Sequence, residues 1–251
     1  MLDDITPLVL TRDEAPNIAR TLGQLRWARE VVVVDSMSDD DTVAIARSFP
    51  NVRVVQRPFD AHAAQWRFGV AQVRTPWVLT LDADYFVPDA AVQEIAALAP
   101  PPDVAGYVAR FRYAIDGRPL RATLYTPRPV LLRAGAFEIW QDGHTQRTRV
   151  AGRTETLREP FVHDDRKPWR RFVERQRFYA REEAEKLRTA DPRTLNAAAR
   201  LRKWRSVAPF AVLAHTLFVK GLILDGRAGL RYAAERFVAE WLIARELWRR
   251  Q

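Results

Sequence analysis

The 251-residue sequence predicts an α/β fold: a mainly parallel sheet flanked by helices, followed by a C-terminal helical extension. Three observations predict it. Strand and helix signals alternate through the first hundred residues, the order that winds a parallel sheet between helical layers. The second strand signal, residues 30–34, is an unbroken valine run after Glu30, as in a strand buried on both faces. Beyond His163 the pattern becomes helical and basic.

The elements follow in order. Residues 5–10 read as the first strand. Pro16 occupies a helix's first turn, and Ile18, Leu22 and Leu25 follow at helical spacing. Residues 41–49 form a short helix, 52–55 a third strand, 61–73 a helix and 77–81 a fourth strand; Pro88 opens a helix to Leu98. Pro100, Pro101 and Pro102 mark a boundary. Residues 106–115 alternate as one strand closed by the turn signal Asp116-Gly117, and 129–133 and 137–140 give two more. A helix begun by Pro168 is capped by Asp164 or Asp165, with Trp169, Phe172, Val173, Ala180 and Leu187 on one face. A second helix runs from Pro209 to about Leu224. A third, from near Ala228, carries Leu230, Ala234, Phe237, Val238, Trp241, Leu242 and Trp248 on its apolar stripe.

An apolar content of 47% supports a sizeable core and argues against disorder. Without cysteine the chain has neither disulfides nor thiolate chemistry. Its first residues lack the basic start and long apolar stretch of a signal peptide. The apolar window 207–224 is interrupted by His215 and Lys220, so it reads as a core or interfacial helix rather than a spanning one. Charge is divided: residues 1–100 carry −5, residues 101–251 carry +14, and only four of the cations are lysines. The basic part suits an anionic lipid, a phosphorylated acceptor or nucleic acid.

Ligands of open α/β sheets bind at the carboxyl ends of the strands. Strand one ends in Thr11-Arg12-Asp13-Glu14, strand two in Asp35-Ser36-Met37-Ser38 before three aspartates, strand four in Asp82-Ala83-Asp84. Carboxylates spaced i, i+2 share one side of the pleat, and their hard oxygens suit Mg²⁺ or Mn²⁺ bridging a diphosphate. Asp35 is placed to accept hydrogen bonds from a ribose or a base amide, and Ser36 and Ser38 add short polar groups. Asp39, Asp40 and Asp41 include at least one helix cap. No glycine-rich phosphate loop follows strand one, which argues against a dinucleotide or P-loop site.

These motifs in this order resemble the inverting family-2 glycosyltransferases of the GT-A (nucleotide-diphospho-sugar transferase) fold. Phe161-Val162-His163, Asp164-Asp165-Arg166-Lys167, Gln176, Tyr179-Ala180 and Gly221 to Gly226 resemble the branch of bacterial lipopolysaccharide-core glucosyltransferases. The resemblance implies a nucleotide-sugar donor, UDP-linked, and a Mn²⁺ or Mg²⁺ cofactor. Thr11, Asp13 and Glu14 would line the nucleotide pocket, Asp35 with Ser36 would hold the uracil or ribose side, and Gln65 would lie near the donor. Asp82 would meet ribose or metal-bound water, Asp84 the metal, and His163 the metal or diphosphate. Arg166 and Lys167 would neutralise the leaving diphosphate. It also implies a catalytic domain over 1–163, with donor half 1–100 and acceptor half 101–163, and a basic amphipathic extension over 164–251.

Two positions depart from the family. Tyr85 follows Asp84 where glutamate is usual, and Trp140-Gln141-Asp142-Gly143-His144 stands where a His-Glu pair is usual. Inverting displacement needs a base for the acceptor hydroxyl. Asp142 and His144 are the local substitutes, with a turn aspartate and a surface histidine as the alternative reading. Residues 166–250 carry a surplus of +12, which suits the cytoplasmic face of a membrane and a glycan or glycolipid acceptor. A polyprenyl-phosphate sugar synthase, needing no strong base, is the second enzymatic reading. A non-catalytic module binding nucleic acid or an anionic surface ranks last, and nucleic acid is not an expected partner.

Overall fold

The valine run is the second strand from one edge of a seven-stranded sheet, and all its residues are buried. We describe a computed structural model over residues 1–142 and 145–249. It divides into two compact units, residues 1–113 with 125–166, and 114–124 with 167 onward.

The first unit opens with β1 (Ile5–Thr11), α1 (Ile18–Gly23), β2 (Val31–Asp35), α2 (Thr42–Arg47), β3 (Val52–Gln56), α3 (His62–Val70), β4 (Trp77–Asp82), β5 (Tyr85–Phe86) and α4 (Asp89–Ala97). The chain continues through β6 (Val104–Ala109), β7 (Phe111–Ile115) and β8 (Arg118–Pro119), then β9 (Arg128–Arg133), β10 (Phe137–Asp142), β11 (Thr145–Val150), β12 (Arg153–Thr156) and β13 (Phe161–His163). The sheet order is β12-β6-β9-β4-β1-β2-β3. Neighbours are parallel from β4 to β3 and at β12–β6, and β9 runs antiparallel to β4 and β6. The expected mainly parallel sheet with flanking helices is therefore present.

Alternate residues of the central strands feed two cores. Leu8, Val32, Val34, Val78 and Leu132 pack on one face. Val9, Val31, Val33, Leu79 and Leu81 pack on the other. Burying each such side chain contributes about 1.5–3 kcal/mol. On the first face α3 lies very close: a Cβ on Gly69 would sit 2.6 Å from Leu8 Cδ1 and 3.0 Å from Val34 Cγ2.

Several elements differ from expectation. The strand expected over 106–115 is two, β6 and β7, separated at Arg110. Neither Asp164 nor Asp165 caps the long helix α5 (Trp169–Thr189); Pro168 takes the N-cap position, because Asp164 is claimed by arginines. At α2 the capping carboxylate is Asp40, which accepts from Thr42 N–H at 3.0 Å.

The second unit holds α5, α6 (Ala197–Arg202), α7 (Ala208–Ala214) and α8 (Gly226–Arg249), with the β-hairpin turn Asp116-Gly117, where both residues have positive φ. Such turns match the twist of the paired strands. Ala180, Ala184, Leu187, Leu242, Ile243 and Leu247 form its core. Arg202 bridges the buried Glu183 (2.8 Å) and Glu240 (2.7 Å). The helix expected over 209–224 is broken: α7 passes into a π turn at His215–Val219, and Gly221, at φ +69°, admits a 3-10 turn at Leu222–Asp225. The expected apolar stripe of α8 is buried only in part, at Leu242 and Val238. Leu230, Trp241 and Trp248 are exposed, while Tyr232, Ala233, Glu235 and Ala244 are buried.

Candidate active site

Register brings the strand ends together. Thr11 of β1 pairs with Asp35 of β2, Leu10 with Asp82 of β4, and Asp35 with Gln56 of β3. Thus Asp35, Thr11 and Asp82 close three adjacent strands on one edge.

Short polar side chains lace the first two loops. Asp35 is fully buried; its Oδ2 accepts from Ser38 N–H and Gln56 Nε2, both at 3.0 Å, and its Oδ1 from the Ser38 hydroxyl. Ser38 Oγ accepts from Asp13 N–H (2.9 Å), and Asp13 Oδ1 from Asp39 N–H (2.9 Å). Asp13 and Met37 both adopt positive φ, near +52° and +59°. Glu14 donates its N–H to Thr42 Oγ1 (2.7 Å), and its carboxylate accepts from Asn17 Nδ2 (2.8 Å). Gln65 on α3 is buried; its Nε2 donates to Ser36 Oγ and the Arg57 carbonyl, both at 2.9 Å. Asp35 thus accepts three hydrogen bonds, which hold its carboxylate in place and leave Oδ1 room to accept one more. Thr11 Oγ1 is buried without a hydrogen bond, a ready group for a ligand.

Beyond β4 the chemistry changes. Thr21 Oγ1 of α1 lies 2.6 Å from the Ala83 carbonyl and 2.7 Å from that of Tyr85, which fixes the turn carrying Asp84. Strand β13 sets His163 between Tyr85 of β5 and Tyr113 of β7. Its Nε2 lies 3.1 Å from Asp84 Oδ2, and its ring centroid 4.6–5.4 Å from those of Tyr113, Tyr125 and Tyr85. The Tyr85 and Tyr125 hydroxyls share a hydrogen bond, Arg128 Nη1 donates to the Tyr85 hydroxyl at 3.3 Å, and its guanidinium stands 4.5 Å from the Tyr125 ring centroid. Burial, and then the Asp82 carboxylate, push the Tyr85 phenol well above its ordinary value. Tyr85 therefore stays protonated and cannot replace the family's glutamate as a base.

Asp82, Tyr85, Arg128, Trp66, Ile139 and Arg147 line a cleft of about 320 Å³. Asp142, at the end of β10, pairs with Arg147 Nε at 2.8 Å and is half-buried. His144 lies outside the described residues. Arg166 Nε reaches Asp164 Oδ2 at 2.9 Å, Lys167 opens the second unit, and the buried Asp164 also holds Arg20 at 2.7 Å. Sequence reasoning missed Arg20, Tyr125 and Arg128. Only the aromatic neighbour Tyr125 and the cation beside Pro129 hinted at them.

For a divalent cation, the Asp84 carboxylate and the His163 imidazole stand together, and Asp82 ends β4 two residues earlier; the carboxylates suit Mn²⁺ or Mg²⁺, and the imidazole suits Mn²⁺ better. His163 Nδ1 is buried without a hydrogen bond. The 3.1 Å between His163 Nε2 and Asp84 Oδ2 is also about the separation of neighbouring ligands around an octahedral cation. No cluster of three or more acidic, histidine or cysteine side chains among the described residues stands ready to hold a metal. Water and substrate phosphates would complete such a shell, as is usual for Mg²⁺.

The strand order and the carboxylates at the strand ends define a GT-A fold. The chain belongs to glycosyl transferase family 2, whose family model matches residues 8–177. An uncharacterized glycosyltransferase of Rickettsia felis is 36% identical over 84 residues, 33% of this chain and 29% of that protein. The lipopolysaccharide core biosynthesis glycosyltransferase LpsC of Rhizobium meliloti is 29% identical over 118 residues, 44% of this chain and 43% of LpsC. The chain thus spans less than half the length of these curated relatives. Among solved structures, the fold is similar to the mannosyltransferase PcManGT of Pyrobaculum calidifontis in complex with GDP-Man and Mn²⁺ (TM-score 0.54, 19% identity, 99% of this chain and 88% of that one). It is also similar to S. aureus TarS 1-349 in complex with UDP-GlcNAc (TM-score 0.51, 16% identity, 98% and 91%).

Proposed function

We propose that this chain is a metal-dependent inverting glycosyltransferase that moves a sugar from a UDP-linked donor to a lipid-anchored glycan such as a lipopolysaccharide core. The observation that carries the reading is the register that sets Asp35, Thr11 and Asp82 on adjacent strand ends. The LpsC relative supports the acceptor, and the Mn²⁺ in the PcManGT complex supports a divalent cation. Such an acceptor places the enzyme at the cytoplasmic face of a membrane.

Asp82, Asp84 and His163 would hold Mn²⁺ or Mg²⁺, which when bound neutralises the departing diphosphate. Asp35, Ser36, Thr11, Asp13 and Glu14 orient the nucleoside, and Gln65 fixes Ser36 from behind. Arg166 is the nearby cation for the phosphates. Asp142 takes the acceptor proton once it parts from Arg147.

Calorimetric titration of UDP with and without Mn²⁺ tests the donor site. Mn²⁺ is expected to tighten UDP binding, and Asp84→Ala to remove that gain. Equal UDP–Mn²⁺ affinity in Asp84→Ala and wild type would overturn the metal assignment. One observation favours a second reading, transfer to a polyprenyl phosphate: Arg128 and Arg147 line the cleft, and Asp82 is its sole carboxylate among the described lining residues. Activity assays with polyprenyl phosphate against core glycolipid separate the two.

A further inference from the structure

We propose that the bent segment 204–224 of the second unit is a wedge that enters the interface of a membrane leaflet containing anionic lipids. It deepens the lipid-anchored-acceptor reading, on which its physiological role rests, but it stands on different residues.

No helix among the described residues is long and apolar enough to cross a membrane alone. Instead, α8 leaves the 208–219 segment at 71°. The elbow presents large apolar side chains outward: Phe218 is 68% exposed, Val219 73% and Leu224 70%, with Trp204 at 68% and Phe210 at 56%. Soluble surfaces seldom gather so many unless something covers them. Phe210, Phe237, Trp241 and Trp248 extend the apolar surface as a chain of ring contacts, 5.3–6.3 Å between successive centroids.

The elbow's backbone is fixed. Leu222 is fully buried, and Gly229 packs so tightly on it that a Cβ there would lie 1.8 Å from the Leu222 carbonyl oxygen. Asp225 accepts from Arg121 N–H (3.0 Å) and Nε (2.8 Å). Thr216 is buried and donates to the Val212 carbonyl at 2.6 Å. The apolar tip is thus held outward by packing.

Charge decides the occupant. Of the seven cations in residues 200–231, Arg202 is held by Glu183 and Glu240, and Arg231 by Asp116 and Glu235; Arg200, Lys203, Arg205, Lys220 and Arg227 remain against one carboxylate, Asp225, which Arg121 holds. A two-fold dimer through this patch would set like cations face to face. Anionic headgroups complement them, while Phe and Trp side chains suit the depth just below.

The chain has no cysteine, so Val219→Cys offers a single labelling point for an environment-sensitive fluorophore. Without donor or acceptor sugar, the label is expected to shift blue with vesicles of phosphatidylcholine and phosphatidylglycerol. A label at exposed Ala44→Cys on α2 is expected not to shift. Co-sedimentation should weaken in high salt and on pure phosphatidylcholine. It should fall about tenfold or more in Phe218→Ser/Leu224→Ser, with an unchanged circular-dichroism melt showing that the variant folds. The proposal is overturned by failure to bind the anionic vesicles, by equal binding to pure phosphatidylcholine, by full binding in the double variant, or by a stable dimer in sedimentation velocity that buries the label without lipid. Because no sugar is present, loss of UDP binding would leave this outcome untouched.

Discussion

The two sides of Asp82 are held by different means. Towards β2, hydroxyls of one strand-end loop accept backbone N–H groups of another across sequence separations of 25 and 28 residues. Towards β13, Tyr85 meets Tyr125 across 40 residues and the Arg128 guanidinium across 43. Small groups that bond backbone N–H shape a pocket that can exchange those bonds for a ligand's. Packed rings and a buried cation, from Tyr85, Phe111, Tyr125 and Arg128, set a wall with few bonds to exchange beside the Asp84–His163 pair. The β2 side is therefore built from exchangeable hydrogen bonds, and the wall beside the cleft from packed rings.

Four changes break or sharpen this contrast. The largest effect is expected from Asp142→Asn. If Asp142 is the base, kcat falls about a hundredfold to ten-thousandfold with UDP affinity unchanged; undiminished turnover would move the base elsewhere. Next is Asp164→Ala, which leaves Arg20 and Arg166 without their shared carboxylate and costs about 3 kcal/mol in urea unfolding. Tyr85→Phe removes the hydroxyl between Tyr125 and Arg128 and costs about 1–2 kcal/mol by the same measurement. The smallest is Ser38→Ala, about 1 kcal/mol, because a loop that exchanges bonds readily finds water instead. UDP affinity should respond in the opposite order, weakening in Ser38→Ala and holding in Tyr85→Phe.

The contrast also explains what the sequence made legible. Thr11, Asp35 and Asp82 end long apolar runs, so their strands and their shared edge could be read directly. The wall could not. Strands β5 and β13 have two and three residues, too short for any periodicity, yet they bring His163 to Tyr85. Asp164 reads as a helix cap, but Arg20 lies 144 residues away. The break at Gly221 needs a left-handed φ, a conformation glycine permits but does not announce. The α8 stripe misled because large apolar side chains at helical spacing say only that they share a face. They do not say which face the core takes, and here Ala228, Gly229 and Ala233 occupy part of the buried one.

Gly69 shows how helix-to-sheet packing can set the width of a cleft. Leu8, which a side chain at that position would strike, is fully buried. A larger residue at 69 would force Leu8 and Val34 to repack or α3, with Trp66 and Gln65, to move away from the sheet. The position of Trp66 beside Asp82 in the cleft thus depends on a missing methyl group where the same helix meets the sheet.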